Sequence, residues 1–216
     1  MAKNRRLSES VNNNITKISF GFVSMYVYKG SSATICIDTG LNVKGIQEEF
    51  RICGLNARDI SAVFLTHSDR DHAGGVEAFT KAEVFMSFEE EEMIDRGDAR
   101  FFNLIHNKKP RCMLSFLRDN DKIAEEDIAI KCISTPGHTL GSMSFLVDEK
   151  YLFVGDALNL KNGKAVMDRG FLQMDKKLQE ESIRKLAKLN NIKMLLTAHT
   201  GFTDDFEKTM SEWRQA

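Results

Sequence analysis

Residues 66–75 read Thr66-His67-Ser68-Asp69-Arg70-Asp71-His72-Ala73-Gly74-Gly75. They follow directly on a short apolar run, residues 62–65, and place four potential ligands of a divalent cation within six residues. Packing of a hydrophobic core does not require such crowding of imidazoles and carboxylates. An uninterrupted apolar run of this length is typical of a strand buried on both faces of a sheet. We therefore predict a metal-binding cluster where this strand ends.

Four further imidazole or carboxyl side chains also stand directly after apolar, strand-like runs. They are Asp38, His138, Asp156 and His199. A rigid sheet can aim side chains from neighbouring strand ends into one cleft, where binding and catalytic groups collect. We therefore expect these four side chains to converge with the cluster at residues 67–72.

The composition is that of a globular protein without a strong overall charge. Of the 216 residues, 42% are hydrophobic and 28% are charged, and the formal net charge is -1. These values argue against disorder, collagen and coiled coil, and provide no basic field that would attract nucleic acid or an anionic membrane. No apolar run suits a secretory signal or a transmembrane helix. We expect a small-molecule substrate, no membrane partner and no nucleic-acid partner.

The cysteines show no CxxC spacing, and most of them sit in apolar runs. They are Cys36, Cys53, Cys112 and Cys132. Small apolar side chains of a core occupy such positions, whereas a metal site or a redox pair needs closely spaced thiols. We therefore predict reduced thiols and a cytoplasmic location.

The order of apolar patterns predicts the fold class. Residues 1–14 are polar and predict a flexible tail, and no repeat or linker divides residues 15–216, which we expect to form a single domain. Helical spacing predicts helices at about 43–53 and 178–189, and the acidic run at 88–95 predicts a helix with a solvated acidic face. Strands before and after these helices predict an α/β protein, specifically an αββα sandwich of two mixed β-sheets flanked by helices.

Five motifs, in order along the chain, resemble those of the metallo-β-lactamase superfamily. They are Ile37-Asp38-Thr39-Gly40, the HxDxDH run at 67–72, the GHTLGS run at 137–142, Gly155-Asp156, and His199. The superfamily includes short hydrolases similar to glyoxalase II. The resemblance implies the metallo-β-lactamase fold and metal-dependent hydrolysis, but it does not identify the substrate.

The resemblance also implies a ligand set. One divalent ion would bind to His67, Asp69 and His138, and a second to Asp71, His72 and His199, with Asp156 bridging the two. Asp71 and Asp156 would also act in catalysis. Asp38 resembles the family's carboxylate that hydrogen-bonds a ligand imidazole and fixes its ring. The implied cofactors are two divalent metal ions, zinc, iron or manganese, and a single ion is the alternative.

Asp69 departs from the superfamily pattern, in which histidine usually occupies this position. A third aspartate lowers the formal charge of a site with two divalent ions and a hydroxide from about +1 to about zero. Water bound to a less positive centre is less acidic. A carboxylate in place of an imidazole also moves metal preference from zinc toward manganese or iron.

The reaction that the resemblance implies is hydrolysis of a small ester, thioester or lactone by a metal-bound hydroxide. A glutathione thioester is less favoured, because only 17 residues follow His199, too few for the helical region that binds glutathione in glyoxalase II. A secreted β-lactamase is less favoured still, because no signal peptide is present.

Three other functions remain open. A phosphodiesterase or nuclease-like hydrolase is favoured by Asp69, because nuclease-like domains of competence proteins also have HxDxDH, and is opposed by the neutral overall charge. Carboxylates and imidazoles can also hold iron, which would suit a di-iron redox or oxygen-binding module. A degenerate binding module ranks last because five motifs are kept together.

Two segments and one histidine have alternative interpretations. The segment 95–127, rich in phenylalanine and arginine, is either a lid that receives an apolar acyl group or helices packed outside a sheet. The basic residues Lys161, Lys164 and Arg169 either bind an anionic substrate or lie in a solvated loop. His106 is expected on the surface or in the lid.

Overall fold

The computed structural model describes residues 8–100, 105–167 and 172–214. The helices are α1 (Val43–Ile52), α2 (Arg70–Ala73), α3 (Phe88–Arg96), α4 (Lys176–Ala187) and α5 (Phe206–Arg214). The strands are β1 (Glu9–Ser10), β2 (Ile15–Ser19), β3 (Ser24–Lys29), β4 (Thr34–Ile37), β5 (Ala62–Phe64), β6 (Glu83–Ser87), β7 (Ala99–Arg100), β8 (Ile105–His106), β9 (Ser115–Leu117), β10 (Lys122–Glu125), β11 (Ile128–Ser134), β12 (Met143–Val147), β13 (Tyr151–Phe153), β14 (Asn159–Lys161), β15 (Lys164–Val166), β16 (Met194–Thr197) and β17 (Gly201–Thr203).

Two mixed sheets contain most of these strands. The first sheet has the order β1-β2-β3-β4-β5-β6-β9, and the second has the order β10-β11-β12-β13-β16-β17. Strands β4, β5, β6 and β9 run parallel to one another, as do β13 and β16, and the other pairs within the two sheets are antiparallel. Parallel neighbours end at the same edge of a sheet, so the residues that follow them lie close together.

Alternation along each strand divides the sheets into inner and outer faces. On β3, Tyr26 and Tyr28 lie in the cluster between the sheets, together with Phe145 of the second sheet. Met25 and Val27 of the same strand belong to the cluster on the outer face of the first sheet. The inner faces therefore share one core, and each outer face needs its own cover.

Helices supply that cover on both sides. Ile46 and Phe50 of α1 pack on the outer face of the first sheet. Ile183 of α4 and Phe206 and Met210 of α5 pack on the outer face of the second sheet. The resulting order of helix, sheet, sheet and helix confirms the predicted αββα sandwich.

Local sequence signals set several of these elements. The helix predicted at 43–53 is confirmed as α1, and the side chain of its N-cap residue Asn42 accepts a hydrogen bond from the Gly45 amide at 2.9 Å. The predicted β12–β13 hairpin turns through Asp148 and Glu149, both with positive φ. A left-handed pair of turn residues matches the twist of a tight hairpin.

The flexible tail predicted at residues 1–14 is in part an edge strand, since Glu9–Ser10 form β1. Strand β1 pairs with β2 in antiparallel register, Glu9 opposite Lys17. Ser8 Oγ donates to Glu49 Oε2 on α1 at 2.6 Å. An edge strand has unpaired backbone groups that a polar segment can satisfy, which hydropathy alone does not reveal. Residues 1–7 lie outside the described residues.

The interpretation of the 95–127 segment as helices outside a sheet is also wrong. Helix α3 ends where Gly97 adopts a φ of 73°, and the described residues beyond it form β7, β8, β9 and β10. Strand β9 extends the first sheet, and β10 extends the second. Phe101 and Phe102, on which the lid interpretation drew, lie outside the described residues.

The cysteines are free thiols, as predicted. Burial raises the pKa of the Cys36 thiol well above its usual value and raises that of Cys132 to about 12. Both thiols therefore remain protonated and behave as small apolar side chains. Within the described parts of the chain, no helix has the length and apolar character that crossing a bilayer demands.

We expect Phe145→Ala to lower the free energy of unfolding by about 3–5 kcal/mol, because it leaves a cavity between the sheets. The Phe145 ring is fully buried, and its centroid lies 5.3 Å from that of Phe64. Urea denaturation followed by circular dichroism measures the change. Phe116→Ala, at a residue that is 41% exposed, is the control with a smaller expected loss. Equal losses in the two variants would contradict a core between the sheets.

Candidate metal centre

The predicted ligands converge at one end of the sandwich, where strands of both sheets terminate. The ligands at residues 67–72 lie in α2 and in the loop between β5 and α2. His138 follows β11, Asp156 follows β13 and His199 follows β16. The ligand atoms of all these residues form three groups, and within each group the atoms lie within 4.8 Å of one another. The groups are His67, Asp69 and His138; His67, His72 and Asp156; and Asp71, His72 and His199. All seven residues that the sequence predicts as ligands therefore lie in one cluster.

The first group is centred on one oxygen of Asp69. Asp69 Oδ2 lies 3.5 Å from His67 Nε2 and 3.2 Å from His138 Nε2. The His67 and His138 side chains are almost fully buried, whereas Asp69 is 16% exposed. Three donors from two different loops thus face a common point.

The second group lies beside the first, and Asp156 stands between them. His199 Nε2 lies 3.6 Å from Asp71 Oδ2, and His72 Nε2 lies 3.8 Å from the same oxygen. Asp156 Oδ1 is 3.4 Å from His72 Nε2, while Asp156 Oδ2 is 3.1 Å from His199 Nε2. Asp156 Oδ2 is also 3.5 Å from His138 Nε2, so this carboxylate contacts both groups.

The buried polar atoms of the cluster fit a bound cation. His67 Nε2, His72 Nε2 and Asp156 Oδ1 are buried, and none has a hydrogen-bond partner among the described residues. Leaving buried polar atoms unsatisfied is costly, and imidazole nitrogens and carboxylate oxygens are the usual ligands of zinc, iron and manganese. The donor set therefore suits one or two divalent metal ions.

Hydrogen bonds to Nδ1 of His67, His72 and His199 leave Nε2 of these three rings available. His72 Nδ1 donates to Asp38 Oδ2 at 2.8 Å, and His199 Nδ1 donates to the Phe22 carbonyl at 3.0 Å. His67 Nδ1 lies 3.0 Å from Thr66 Oγ1, which itself donates to Asp38. These contacts assign the tautomer whose Nε2 lone pair can bind metal.

Asp38 connects the metal cluster to the strand that carries it. Its Oδ1 accepts a hydrogen bond from the Thr66 amide at 2.8 Å, in addition to the bonds from the Thr66 hydroxyl. Asp38 has a φ of 63°, a left-handed conformation that aspartate and asparagine tolerate better than most residues. The short carboxylate thereby reaches Thr66 and His72 at once.

The electrostatic environment favours positive charge. Burial opposes ionisation of Asp156 and Asp69, yet the neighbouring imidazoles hold the pKa of each carboxyl far below its usual value. Burial likewise opposes protonation of His72 and His199. Asp156 nevertheless raises the pKa of both imidazoles, and Asp38 also raises that of His72. In each case the groups of opposite charge outweigh desolvation, so the carboxylates of the cluster stay ionised and favour a cation.

A cavity of about 580 Å³ opens beside the cluster. Its wall includes Asp69 and Asp71 of the cluster, His106 at the end of β8, and Asn107, which follows β8. His106 is exposed. The prediction of a surface position for His106 is confirmed, and the residue lies on the wall of the cavity.

Four residues that the sequence analysis left without a role contact the candidate ligands or the residues next to them in the sequence. They are Phe22, Thr66, Glu90 and Asn107. The interpretation of the acidic run as a solvated face is wrong for Glu90, which is fully buried. Glu90, Met93 and Ile94 share one face of α3 by helical spacing. This spacing was the pattern in the sequence that could have indicated that Glu90 is buried.

The basic residues after Asp156 lie apart from the cavity. Lys161 and Lys164 stand opposite each other in the register of the β14–β15 hairpin. Lys164 forms an ion pair with Glu212 of α5. Neither lysine lines the cavity beside the cluster. Arg169 lies outside the described residues, so its interpretation stays a prediction.

Known sequences resemble the chain over most of its length. A family model described as the metallo-beta-lactamase superfamily matches residues 18–199. A probable metallo-hydrolase of Methanocaldococcus jannaschii is 32% identical over 74% of this chain and 64% of its own. A probable polyketide biosynthesis zinc-dependent hydrolase of Bacillus subtilis, PksB, is 37% identical over 46% of this chain and 40% of its own.

A third relative, a probable hydroxyacylglutathione hydrolase of Encephalitozoon cuniculi, is 27% identical over 62% of this chain and 52% of its own. The matched regions thus span 40% to 64% of these relatives. The solved structure of the metallo-beta-lactamase SMB-1 bound to 2-mercaptoethanesulfonate has a TM-score of 0.73 with 18% identity, and the match covers 98% of this chain and 94% of that one. This likeness shows the shared fold.

We expect Asp38→Asn to weaken metal binding by about 10–100-fold, because the ring of His72 loses its charged partner. Asparagine also tolerates the left-handed backbone, so the substitution tests the carboxylate without straining the chain. Competition with a chromophoric chelator measures the affinity. Asp148→Asn, at another left-handed position far along the chain, is the matched control. Unchanged affinity in Asp38→Asn would remove Asp38 from the centre.

Proposed function

The chain belongs to the metallo-β-lactamase superfamily, and from this premise we propose that it is a metal-dependent hydrolase of a small ester, thioester or lactone. The observation that supports this most directly is the convergence of seven imidazole and carboxylate side chains, in which three buried donor atoms, His67 Nε2, His72 Nε2 and Asp156 Oδ1, have no hydrogen-bond partner among the described residues. Such a set is suited to binding a catalytic metal rather than to stabilising a core.

In this proposal two divalent ions, zinc, iron or manganese, are the cofactors. One would be held by the group of Asp69 and the other by the group of Asp71, with Asp156 in contact with both. Once bound, the ions would supply the Lewis acidity that activates water and polarises a substrate carbonyl. The PksB name supports zinc, whereas Asp69 favours a harder metal.

The protein's own residues would orient and expose this centre. Asp38, Thr66 and the Phe22 carbonyl fix the imidazole rings from behind. Asp71 and His199 are 22% and 23% exposed, whereas His72 is fully buried. Substrate would therefore approach from the side of Asp71 and His199, and His72 would hold the metal from within.

The adjoining cavity supports a small substrate that carries a negative charge. Its volume of about 580 Å³ falls within the usual range for small-molecule sites. Arg70, Lys108 and Arg111 line it, and none of the three forms an ion pair with a described residue. Lys109, by contrast, is paired with Glu91. The carboxylates of the same lining are Glu77 and the candidate ligands Asp69 and Asp71, whose charge bound metal would offset. The relative named hydroxyacylglutathione hydrolase supports an acyl substrate.

Phosphodiester hydrolysis is the second candidate. Asp69 beside His67 and His138 would favour manganese, and the cations of the cavity would also attract a phosphate group. The neutral overall charge gives no support for a nucleic-acid substrate. A cytoplasmic location is part of the proposal and is supported by the four free thiols.

The proposed reaction predicts that activity requires metal. Protein purified without added metal should retain zinc, iron or manganese by elemental analysis, and should hydrolyse at least one of a nitrophenyl ester, an acyl thioester and a lactone. Chelation should abolish hydrolysis, and adding back one of the three metals should restore it, because the proposed nucleophile is water activated by the metal. Asp156→Ala should lose both metal and activity.

Two outcomes would contradict this proposal. Protein without stoichiometric metal, whose hydrolysis chelators do not affect, would exclude a metal-dependent hydrolase. Hydrolysis of a nitrophenyl phosphodiester without hydrolysis of any acyl substrate would replace the acyl proposal by the second candidate.

Arg111→Gln should discriminate between charged and neutral esters of equal length. We expect kcat/KM for the nitrophenyl monoester of glutaric acid to fall up to about fivefold, since an exposed charge pair contributes at most about 1 kcal/mol. For nitrophenyl valerate, kcat/KM should stay unchanged. Arg118→Gln, at an exposed arginine over the Phe88 ring and outside the cavity lining, is the control. Equal losses for both esters would reject a charged subsite.

A further inference from the structure

We propose that Asn107 and Glu90 are positioning residues that aim Asp69 and His138 at the metal. This inference rests on the proposed metal-dependent function. It concerns the half of the centre in which the chain departs from its superfamily, because Asp69 stands where histidine is usual. Neither Asn107 nor Glu90 belongs to the three groups of candidate ligands.

Asn107 determines which oxygen of Asp69 faces the cluster. Its Nδ2 donates to Asp69 Oδ1 at 2.8 Å, while Oδ2 of the same carboxylate faces His67 and His138. A carboxylate has two equivalent oxygens and a softly rotating terminal torsion, so either oxygen can turn toward the metal. An aspartate in this position therefore needs a donor on its far oxygen, and Asn107 supplies it.

Glu90 joins the two loops that carry the first group of ligands. Its Oε1 accepts from the Ser68 amide at 2.8 Å and from Ser68 Oγ at 2.6 Å. Its Oε2 accepts from Thr139 Oγ1 at 2.6 Å. Ser68 lies between His67 and Asp69 in the sequence, and Thr139 directly follows His138. One buried carboxylate thus fixes both loops.

Asn107 is part of the same network. Its Nδ2 lies 2.7 Å from Ser68 Oγ and 3.3 Å from Glu90 Oε1. The amide group therefore contacts the candidate ligand Asp69 and the carboxylate that anchors the loop of Asp69. Hydrogen-bonded networks of buried polar groups hold their members in one arrangement when each member is satisfied.

The start of α3 holds Glu90 in place. Ser87 caps this helix, since its Oγ accepts from the Glu90 amide at 3.0 Å and donates to the Gly141 carbonyl at 2.5 Å. A Cβ atom on Gly141 would lie 2.1 Å from the Glu90 amide nitrogen, so only glycine permits this approach. Ser87 and Glu90 have the spacing of a capping box, but the Glu90 carboxylate bonds to the ligand loops instead.

The principal test is Asn107→Leu, which removes the donor and keeps the volume of the side chain. We expect metal affinity, measured by competition with a chromophoric chelator, to fall about 10–100-fold. The visible absorption of the cobalt-substituted protein should also change, because Asp69 changes its coordination. The far-ultraviolet circular dichroism should not change. Asn190→Leu, at an exposed asparagine after α4, is the matched control and should leave both readouts unchanged.

Glu90→Gln is the second variant, with Glu92→Gln on the exposed side of the same helix as its control. Replacing one carboxylate oxygen by an amide NH2 group removes the negative charge and one acceptor from the network, so we expect a comparable loss of affinity. Glu92→Gln should bind metal like the unsubstituted protein. Equal affinities for the two glutamine variants would overturn the role of Glu90.

A double-mutant cycle separates positioning from a general structural effect. An Asp69→His background lacks the Asp69 carboxylate that accepts the hydrogen bond from Asn107. In that background, adding Asn107→Leu should change metal affinity by less than about threefold. An equal loss in both backgrounds would show that Asn107 does not act through Asp69 and would overturn the inference. If the unsubstituted protein binds no metal, the proposed function itself fails. If it binds metal and Asn107→Leu binds equally well, only the inference fails.

Discussion

Carboxylates and imidazole nitrogens that point at one another inside the protein are suited to sharing one divalent cation. In this cluster the buried Nε2 atoms of His67 and His72 have no hydrogen-bond partner among the described residues, and the carboxylates of Asp69 and Asp156 face them. An unpaired buried polar atom costs roughly 1–3 kcal/mol. The rest of the structure serves to hold these groups at the same point despite that cost.

The two sheets are joined close to this point. The Met143 amide of the second sheet donates to the Thr66 carbonyl at 2.9 Å, and the Ser24 amide of the first sheet donates to the Ala198 carbonyl at 2.8 Å. Tyr26, on the inner face of β3, donates from its hydroxyl to the Thr197 carbonyl at 2.9 Å. Loops that carry ligands from different sheets therefore share a rigid frame, which suits a site whose donors must be placed within fractions of an ångström.

Sequence patterns predict the sandwich and the convergence of imidazoles and carboxylates at strand ends because each signal is local: an apolar run followed directly by a polar donor. The choice of seven of these side chains as ligands comes from the resemblance to the superfamily. Sequence patterns do not predict β1 and β9, since strands of two or three residues depend on pairing with a sheet edge. Asn107 and Glu90 escape prediction for the same reason, because Asn107 meets Asp69 across 38 positions and Glu90 meets Ser68 across 22. Contacts over such separations follow from tertiary structure.

The location of bound metal tests the account most directly. Crystals of the protein purified with its own metal, measured at the absorption edge of that metal, would show each ion by anomalous scattering. We expect a peak bounded by His67, Asp69 and His138, with Asp69 binding through the oxygen that faces away from Asn107, and a second peak bounded by Asp71, His72 and His199. Peaks only at other places on the protein, or Asp69 turned away from the metal, would contradict the account.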